Sequence, residues 1–240
     1  MKIFKKAFWA ALMAGSALTG ATGAANAETT VSGNVALTSD YAFRGISQTD
    51  QDPALQGGFD MASGIFYAGT WASSIDFAAQ SAELELDVYA GVTPTVGPVT
   101  FDLGVVGYLY PSASDDASEL DFWELKGGAK ISPAEGFTIG GTLFYSPEFT
   151  LDGGDSLYAE GAASYALTDK FSLSGAVGHQ SVDAAAYFAD GATFTDSYTT
   201  WNLGATYAIA GFGLDLRYVD TDLDTTITEE RVILSIKRAL

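Results

Sequence analysis

From Thr29 to Phe43 apolar and polar side chains take turns. Val31, Val35, Leu37, Tyr41 and Phe43 hold the odd positions; Thr30, Ser32, Asn34, Thr38 and Asp40 hold the even ones. A period of two marks a strand with one apolar face. Leu55–Met61 repeats the pattern. Ala82–Val92 shows it most clearly, with Leu84, Leu86, Val88, Ala90 and Val92 against Glu83, Glu85, Asp87 and Tyr89. Further segments follow at Ile65–Ile75, Val99–Tyr110, Leu120–Ile131, Phe137–Ser146, Ser156–Ala166, Phe171–Gln180, Tyr198–Ile209, Phe212–Asp220 and Glu230–Leu240. The pattern predicts about twelve strands of about ten residues each, with ten or fourteen as alternatives. Strands in globular domains average nearer 5–6 residues, whereas a tilted strand needs about 9–11 to cross a bilayer.

Two features of the breaks sharpen this reading. All six prolines, Pro53, Pro94, Pro98, Pro111, Pro133 and Pro147, fall at expected strand ends, where the missing N–H does least harm. The connections also alternate in length. Those after even-numbered strands are short (63–64, 94–98, 132–136, 167–170 and 210–211). Those after odd-numbered strands are longer and polar (44–53, 76–81, 111–119, 147–155, 181–197 and 221–229). Short turns at one end and long loops at the other are the habit of outer-membrane barrels. The predicted fold is therefore all-β, a transmembrane antiparallel up-and-down barrel. Lipid offers no hydrogen bonds, so such a sheet must close. Its apolar face then points outward and its polar face inward. Rings near the strand ends are expected to form two interfacial girdles. Tyr41, Phe43, Tyr108, Tyr110, Phe122, Trp123, Phe144, Tyr145 and Tyr198 lie near the loops. Phe59, Phe101, Phe137, Tyr165, Phe171, Tyr207 and Phe212 lie near the turns.

The first 27 residues carry a different pattern. Lys2, Lys5 and Lys6 precede an apolar run from Ala7 to Thr19, and Ala25-Asn26-Ala27 offers an A-x-A cleavage site. The run is too short to span a bilayer as a helix, so residues 1–27 read as a secretory signal and 28–240 as the barrel. Removing three lysines leaves eight basic residues against thirty acidic ones. That balance excludes nucleic-acid binding, which needs clustered cations. There is no cysteine, so the exported chain depends on its own hydrogen-bond network rather than on disulfides.

Ser39-Asp40-Tyr41-Ala42-Phe43-Arg44-Gly45-Ile46-Ser47-Gln48, followed by Pro53-Ala54-Leu55-Gln56-Gly57-Gly58-Phe59-Asp60, resembles the N-terminal signature of the TorF family of porins. The closing Arg231–Arg238 segment is similar to that family's last strand. The resemblance implies an outer-membrane barrel and gives special weight to Asp40, Tyr41, Phe43, Arg44 and Gly45. It brings no substrate and no assigned functional residue. One departure is the end of the chain, Ala239-Leu240, where such barrels commonly carry an aromatic residue read by the assembly machinery.

Parity places Asp60, Glu83, Glu85, Asp87, Asp102, Glu124, Lys126, Lys130, Glu160, Asp215 and Arg217 on the inner wall. Buried carboxylates demand water or partners, so the interior is either wet or laced with ion pairs, and a wet one is favoured. The implied role is passive diffusion of small hydrophilic solutes, with cations preferred because of the acidic ladder Glu83, Glu85 and Asp87. The alternative is a closed structural or adhesive barrel acting through acidic loops. The implied partners are outer-membrane lipid, lipopolysaccharide, the barrel-assembly machinery and small solutes. Arg44 is expected either to pair inward with a carboxylate or to meet a lipopolysaccharide phosphate. A hydrolase is a poor fit. The lone His179 lies on the outward face by parity, too far from Ser181 and Asp183 for a triad. Asp152–Asp155 and Asp220–Asp224 match no defined calcium loop, and no cofactor motif is present.

Overall fold

The computed structural model describes residues 28–240 except 78, 80, 112 and 115–119. The expected leader, and Asp115, Asp116 and Glu119 of one acidic loop, lie outside the described residues. Twelve long antiparallel strands form the described framework, and no helix accompanies them. They are β1 (Thr30–Thr38), β2 (Ala54–Ser63), β3 (Phe66–Phe77), β4 (Ala82–Val92), β5 (Val99–Leu109), β6 (Phe122–Ala134), β7 (Phe137–Phe149), β8 (Gly154–Ala166), β9 (Phe171–Val182), β10 (Ser197–Ile209), β11 (Phe212–Thr221) and β12 (Arg231–Ala239). Each pairs with its sequence neighbours. β1 also pairs with β12, from Asn34 opposite Ala239 to Thr38 opposite Ser235. That last pairing closes the sheet into a barrel, so no edge remains to need hydrogen bonds from lipid.

The two faces differ as the alternation demands. Val31, Leu55, Phe59, Leu143, Val177, Leu203, Leu216 and Val232 stand exposed on the outside. The inward positions between them hold Glu85, Glu124, Gln180, Asp215 and Arg217, all buried. A soluble barrel would show the reverse, so this is a transmembrane barrel. Both termini of the sheet share one end, here the turn end, with five connections; of the six at the other end, 39–53, 110–121, 183–196 and 222–230 are long, but 78–81 and 150–153 are as short as the turn at 167–170, because β3 and β7 run on past their expected ends.

Three expectations are corrected in detail. Pro133 and Pro147 do not lie outside the strands. Pro133 is near the end of β6, where the β6–β7 register shifts between Ile139/Ile131 and Phe137/Ala134. Pro147 lies in β7 at the shift between Ser146 and Phe149. A bulge leaves one residue unpaired, so the missing N–H costs nothing there. The first strand ends at Thr38 rather than Phe43. The next residues leave the wall and fold inward.

The loop-side girdle is also redrawn. Trp123 and Tyr145 face outward, but Tyr108, Tyr110, Phe122 and Tyr198 are buried inside the barrel. They join Ile75, Leu120, Phe149, Val182, Phe188 and Leu223 in an internal apolar cluster, with Tyr41, Phe43 and Tyr187 packed against it. Tyr108 stacks on Phe122 with centroids 4.3 Å apart, and Phe188 meets Tyr198 edge-on at 4.7 Å. The loop half of the interior is thus an aromatic core. At the turn end the exposed rings Phe59, Tyr165 and Tyr207 remain outward.

The outward face fixes a measurable depth dependence. Leu203 lies mid-strand in β10 and is largely exposed, whereas Ile209 ends the same strand. Leu203→Arg should lower the unfolding free energy in lipid vesicles by about 2–4 kcal/mol and Ile209→Arg by about 0–1. Denaturant titration followed by tryptophan fluorescence would read both. Equal losses at the two sites would contradict the assigned depth.

Candidate functional site: a hairpin folded into the barrel

Residues 39–53 connect β1 to β2, and 40–49 of them are buried or half-buried while 50–53 are exposed. Ala42 pairs with Ser47 and Phe43 with Ile46, leaving Arg44-Gly45 as a two-residue hairpin turn. Both turn residues have positive φ, 48° and 88°, which is the type I′ turn whose twist suits a tight hairpin. Glycine is required at the second position twice over. Its φ is left-handed, and a Cβ there would collide with the side chains of Thr200 and Thr221 on β10 and β11. Arg44, as a non-glycine in the left-handed region, carries a strain of about 1–3 kcal/mol that surrounding contacts must outweigh.

Those contacts are dense. Asp40 accepts from Ser47 Oγ at 2.6 Å, from Thr49 Oγ1 at 3.0 Å and from the Arg231 guanidinium of β12. The same arginine donates from Nη2 to the Gly45 carbonyl at 2.9 Å, and Tyr198 OH donates to the Arg44 carbonyl at 3.0 Å. At the tip, Arg44 Nη1 donates to Gln180 Oε1 of β9 and Nη2 to Glu124 Oε2 of β6, each at 2.6 Å. Its guanidinium carbon lies 4.7 Å, 5.1 Å and 4.2 Å from the ring centroids of Phe43, Phe144 and Tyr158. Burial works against the Arg44 charge, yet Glu124 together with Tyr108 and Tyr198 outweighs that penalty and holds its pKa above the ordinary arginine value. Of the two expected partners, the inward carboxylate is the one observed.

The expected wall residues sort into two zones. In the loop half, Glu85 accepts from Tyr41 OH at 2.7 Å and Tyr110 OH at 2.9 Å. Glu124 accepts also from Tyr108 OH at 3.1 Å, and Glu160 from Tyr158 OH at 3.0 Å. Asp87 Oδ1 and Glu124 Oε1 are buried without a hydrogen-bond partner. Towards the turn end the wall is better paired. Lys126 meets Asp102 at 2.6 Å, and Tyr67 OH donates to the same carboxylate. Tyr89 OH donates to Asp60 at 2.6 Å. At mid-height Arg217 binds Asp215, Asn202 and Ser174. Lys130 is exposed near the turn end. Glu83 is exposed at the loop end of β4, beyond the register shift between Leu84 and Ala82, so the ladder breaks after Glu85. His179 is exposed on the outer face, with Nδ1 3.2 Å from Thr199 Oγ1. Sequence reasoning missed Gln180, Arg231 and the whole set of phenol donors.

Residues 21–239 match the family described as bacterial protein of unknown function (Gcw_chp). The chain belongs to that family. The match carries neither the TorF name nor an activity. No curated protein matches. Among solved structures, a NanC porin is similar at 10% identity and a TM-score of 0.58, covering 88% of this chain and 98% of that one. A KdgM porin gives 6% and 0.57 with the same coverage, and KdgM in complex with disordered oligogalacturonate gives 8% and 0.56. Likeness at these identities is likeness of fold.

The Arg44–Glu124 pair is buried on both sides, 6% and 0% exposed. Removing one partner of such a pair leaves an uncompensated charge and costs about 3–5 kcal/mol, while replacing both with apolar groups is often neutral. Glu124→Ala should therefore destabilise the barrel by about that amount. Arg44→Met combined with Glu124→Leu should recover most of the loss. Denaturant midpoints of the single and double variants check this.

Proposed function

We propose that the chain is a porin-like channel of a Gram-negative outer membrane, passing small hydrophilic solutes through a lumen narrowed by the hairpin at 39–53. The observation that carries the reading is the inner wall. From Asp60 and Asp102 to Glu85 and Glu160 it is lined with ionisable groups, and a barrel needing only to fill itself would use apolar side chains. The loop end then faces outward from the cell and the turn end the periplasm, with export through a cleaved leader, insertion by the assembly machinery and lipopolysaccharide around the outer rim. Nothing in the wall suggests catalysis.

Cations are the favoured solutes. Glu85, Asp87, Glu124 and Glu160 share the loop half with Arg44, and Asp40 is already matched by Arg231. Low-dielectric walls focus such an excess of negative charge and concentrate counter-ions. The oligogalacturonate of the KdgM structure is an anion, and this half of the wall would repel one. A second reading, a closed structural or adhesive barrel, is favoured by the aromatic cluster that fills the loop half.

Planar-bilayer recordings separate the two. In a KCl gradient the wild type should give a reversal potential of cation-selective sign. Glu85→Gln with Asp87→Asn should move it towards zero, and selectivity should fade as salt shortens the Debye length below about 8 Å. Replacing residues 41–48 with a Gly/Ser linker should raise the conductance. Silence from both the wild type and the linker variant would establish the structural reading instead.

A further inference from the structure

Most of what Arg44 touches belongs to the wall rather than to its own hairpin. Glu124, Phe144, Tyr158 and Gln180 come from four consecutive strands, β6 to β9. They present one carboxylate, one amide oxygen and two ring faces around a single point. Partners other than Arg44 fix their orientation. Gln180 Nε2 donates to Ser156 Oγ at 2.6 Å, which turns the amide oxygen towards the centre. Tyr108 OH donates to Glu124 Oε2 at 3.1 Å. Glu124 is fully buried, yet its Oε1 has no hydrogen-bond partner. The wall therefore holds acceptor capacity that Arg44 leaves unused.

We propose that this wall cluster is a binding site for organic cations bearing a guanidinium or primary ammonium group, and that Arg44 is its resident occupant, with which a permeating cation competes. The proposal deepens the channel reading and rests on it for access from solution. The chemistry selects the class. Ring faces attract weakly hydrated organic cations, and a planar guanidinium satisfies two separated acceptors at once. Small metal ions prefer several oxygen ligands, and among the described residues no group of three acids or histidines converges to supply them. The competition follows from the loop. Backbone bonds anchor the hairpin's base, from Ser47 N to the Ile227 carbonyl and from Asp76 N of β3 to the Gln48 carbonyl, each 2.8 Å; the tip at Arg44-Gly45 meets the wall through side-chain bonds, so it can leave without unpairing a wall strand.

The test uses the full barrel folded in detergent and ethylguanidinium as the probe, which is the fragment removed in Arg44→Ala. Isothermal titration calorimetry should show saturable binding to Arg44→Ala. Binding should be at least tenfold weaker in Arg44→Ala with Glu124→Gln, which removes the charge and keeps the shape. The wild type should bind at least tenfold more weakly than Arg44→Ala, because the probe must displace Arg44. Arg44→Gln takes the place of the alanine variant should that one not fold, with the same expectations. Equal affinity with and without the Glu124 charge, or no binding to the emptied site, overturns the proposal. A wild type that does not respond at a thousand times the half-saturating concentration of Arg44→Ala overturns the competition. Bilayer recordings of the same variants keep the two readings apart. Conduction without charge-dependent binding removes the site and leaves the channel. Charge-dependent binding without conduction removes the channel and leaves the site.

Discussion

Every strand of the sheet must give its backbone hydrogen bonds to another strand, because lipid accepts none. The pairing of β1 with β12 meets that demand, and the rest of the structure follows from it. Closure sends alternate side chains into an enclosed space that the chain must fill, wet or pair. Towards the turn end Lys126 pairs with Asp102, and at mid-height Arg217 gathers Asp215, Asn202 and Ser174. At the loop end there are too few cations for this solution. The chain uses phenols instead. Tyr41, Tyr110, Tyr108 and Tyr158 each donate to a carboxylate. Each such hydrogen bond satisfies a buried carboxyl oxygen that would otherwise cost about 1–3 kcal/mol. The phenol also brings a ring that packs, so each tyrosine stabilises the acid with one end and builds the aromatic core with the other.

The same tyrosines explain some of the glycines in the wall. A Cβ on Gly69 would lie 2.6 Å from the Tyr89 ring, and one on Gly178 would run into the Tyr158 hydroxyl. An inward ring lies flat over an inward glycine on the adjacent strand. That lets Tyr89 reach Asp60 and Tyr158 reach Glu160 along the wall instead of across the lumen. Glycine, tyrosine and carboxylate act here as one repeated unit.

Much of this was legible in the sequence. The period of two and the strand length specify the barrel, because both are local consequences of crossing a bilayer; the parity of the loops held for four of the six expected long ones, 78–81 and 150–153 being short. The inward hairpin was not legible, and the reason is physical. Tyr41-Ala42-Phe43 continues the alternation of β1 without a break, so periodicity alone reads on through Ser39. The available signal was Arg44-Gly45 between two alternating pairs, a two-residue turn motif weaker than Asn-Gly or Asp-Gly. The girdle reading failed for a related reason. Tyr108 and Phe122 lie at strand ends, as girdle rings do, and only tertiary packing decides whether a ring near the rim turns to lipid or to the lumen. Gln180 was overlooked because an inward amide on a polar face looks ordinary until Arg44 is seen beside it. Glu83 fell out of its ladder because a register shift interrupts the parity on which the ladder was counted.

The hairpin sets two kinds of stability against each other. The barrel wall is held by backbone ladders that cannot be lost piecemeal in lipid, since each broken pair exposes polar groups to hydrocarbon. The hairpin is held by the side-chain bonds of Asp40, Arg231, Tyr198 and Arg44, by two backbone bonds at its base and by the packing of Tyr41, Phe43 and Ile46 on the aromatic core. Its turn stores left-handed strain at Arg44, which is released when the tip leaves. Water entering behind it must hydrate Glu124 and Gln180 in place of Arg44, whose pairing with the buried Glu124 is otherwise lost at about 3–5 kcal/mol. Withdrawal therefore trades side-chain contacts for hydration and strain relief while the ladder stays intact. In the proposed channel, the tip that narrows the lumen is the part of the hairpin that shares no backbone bond with the wall.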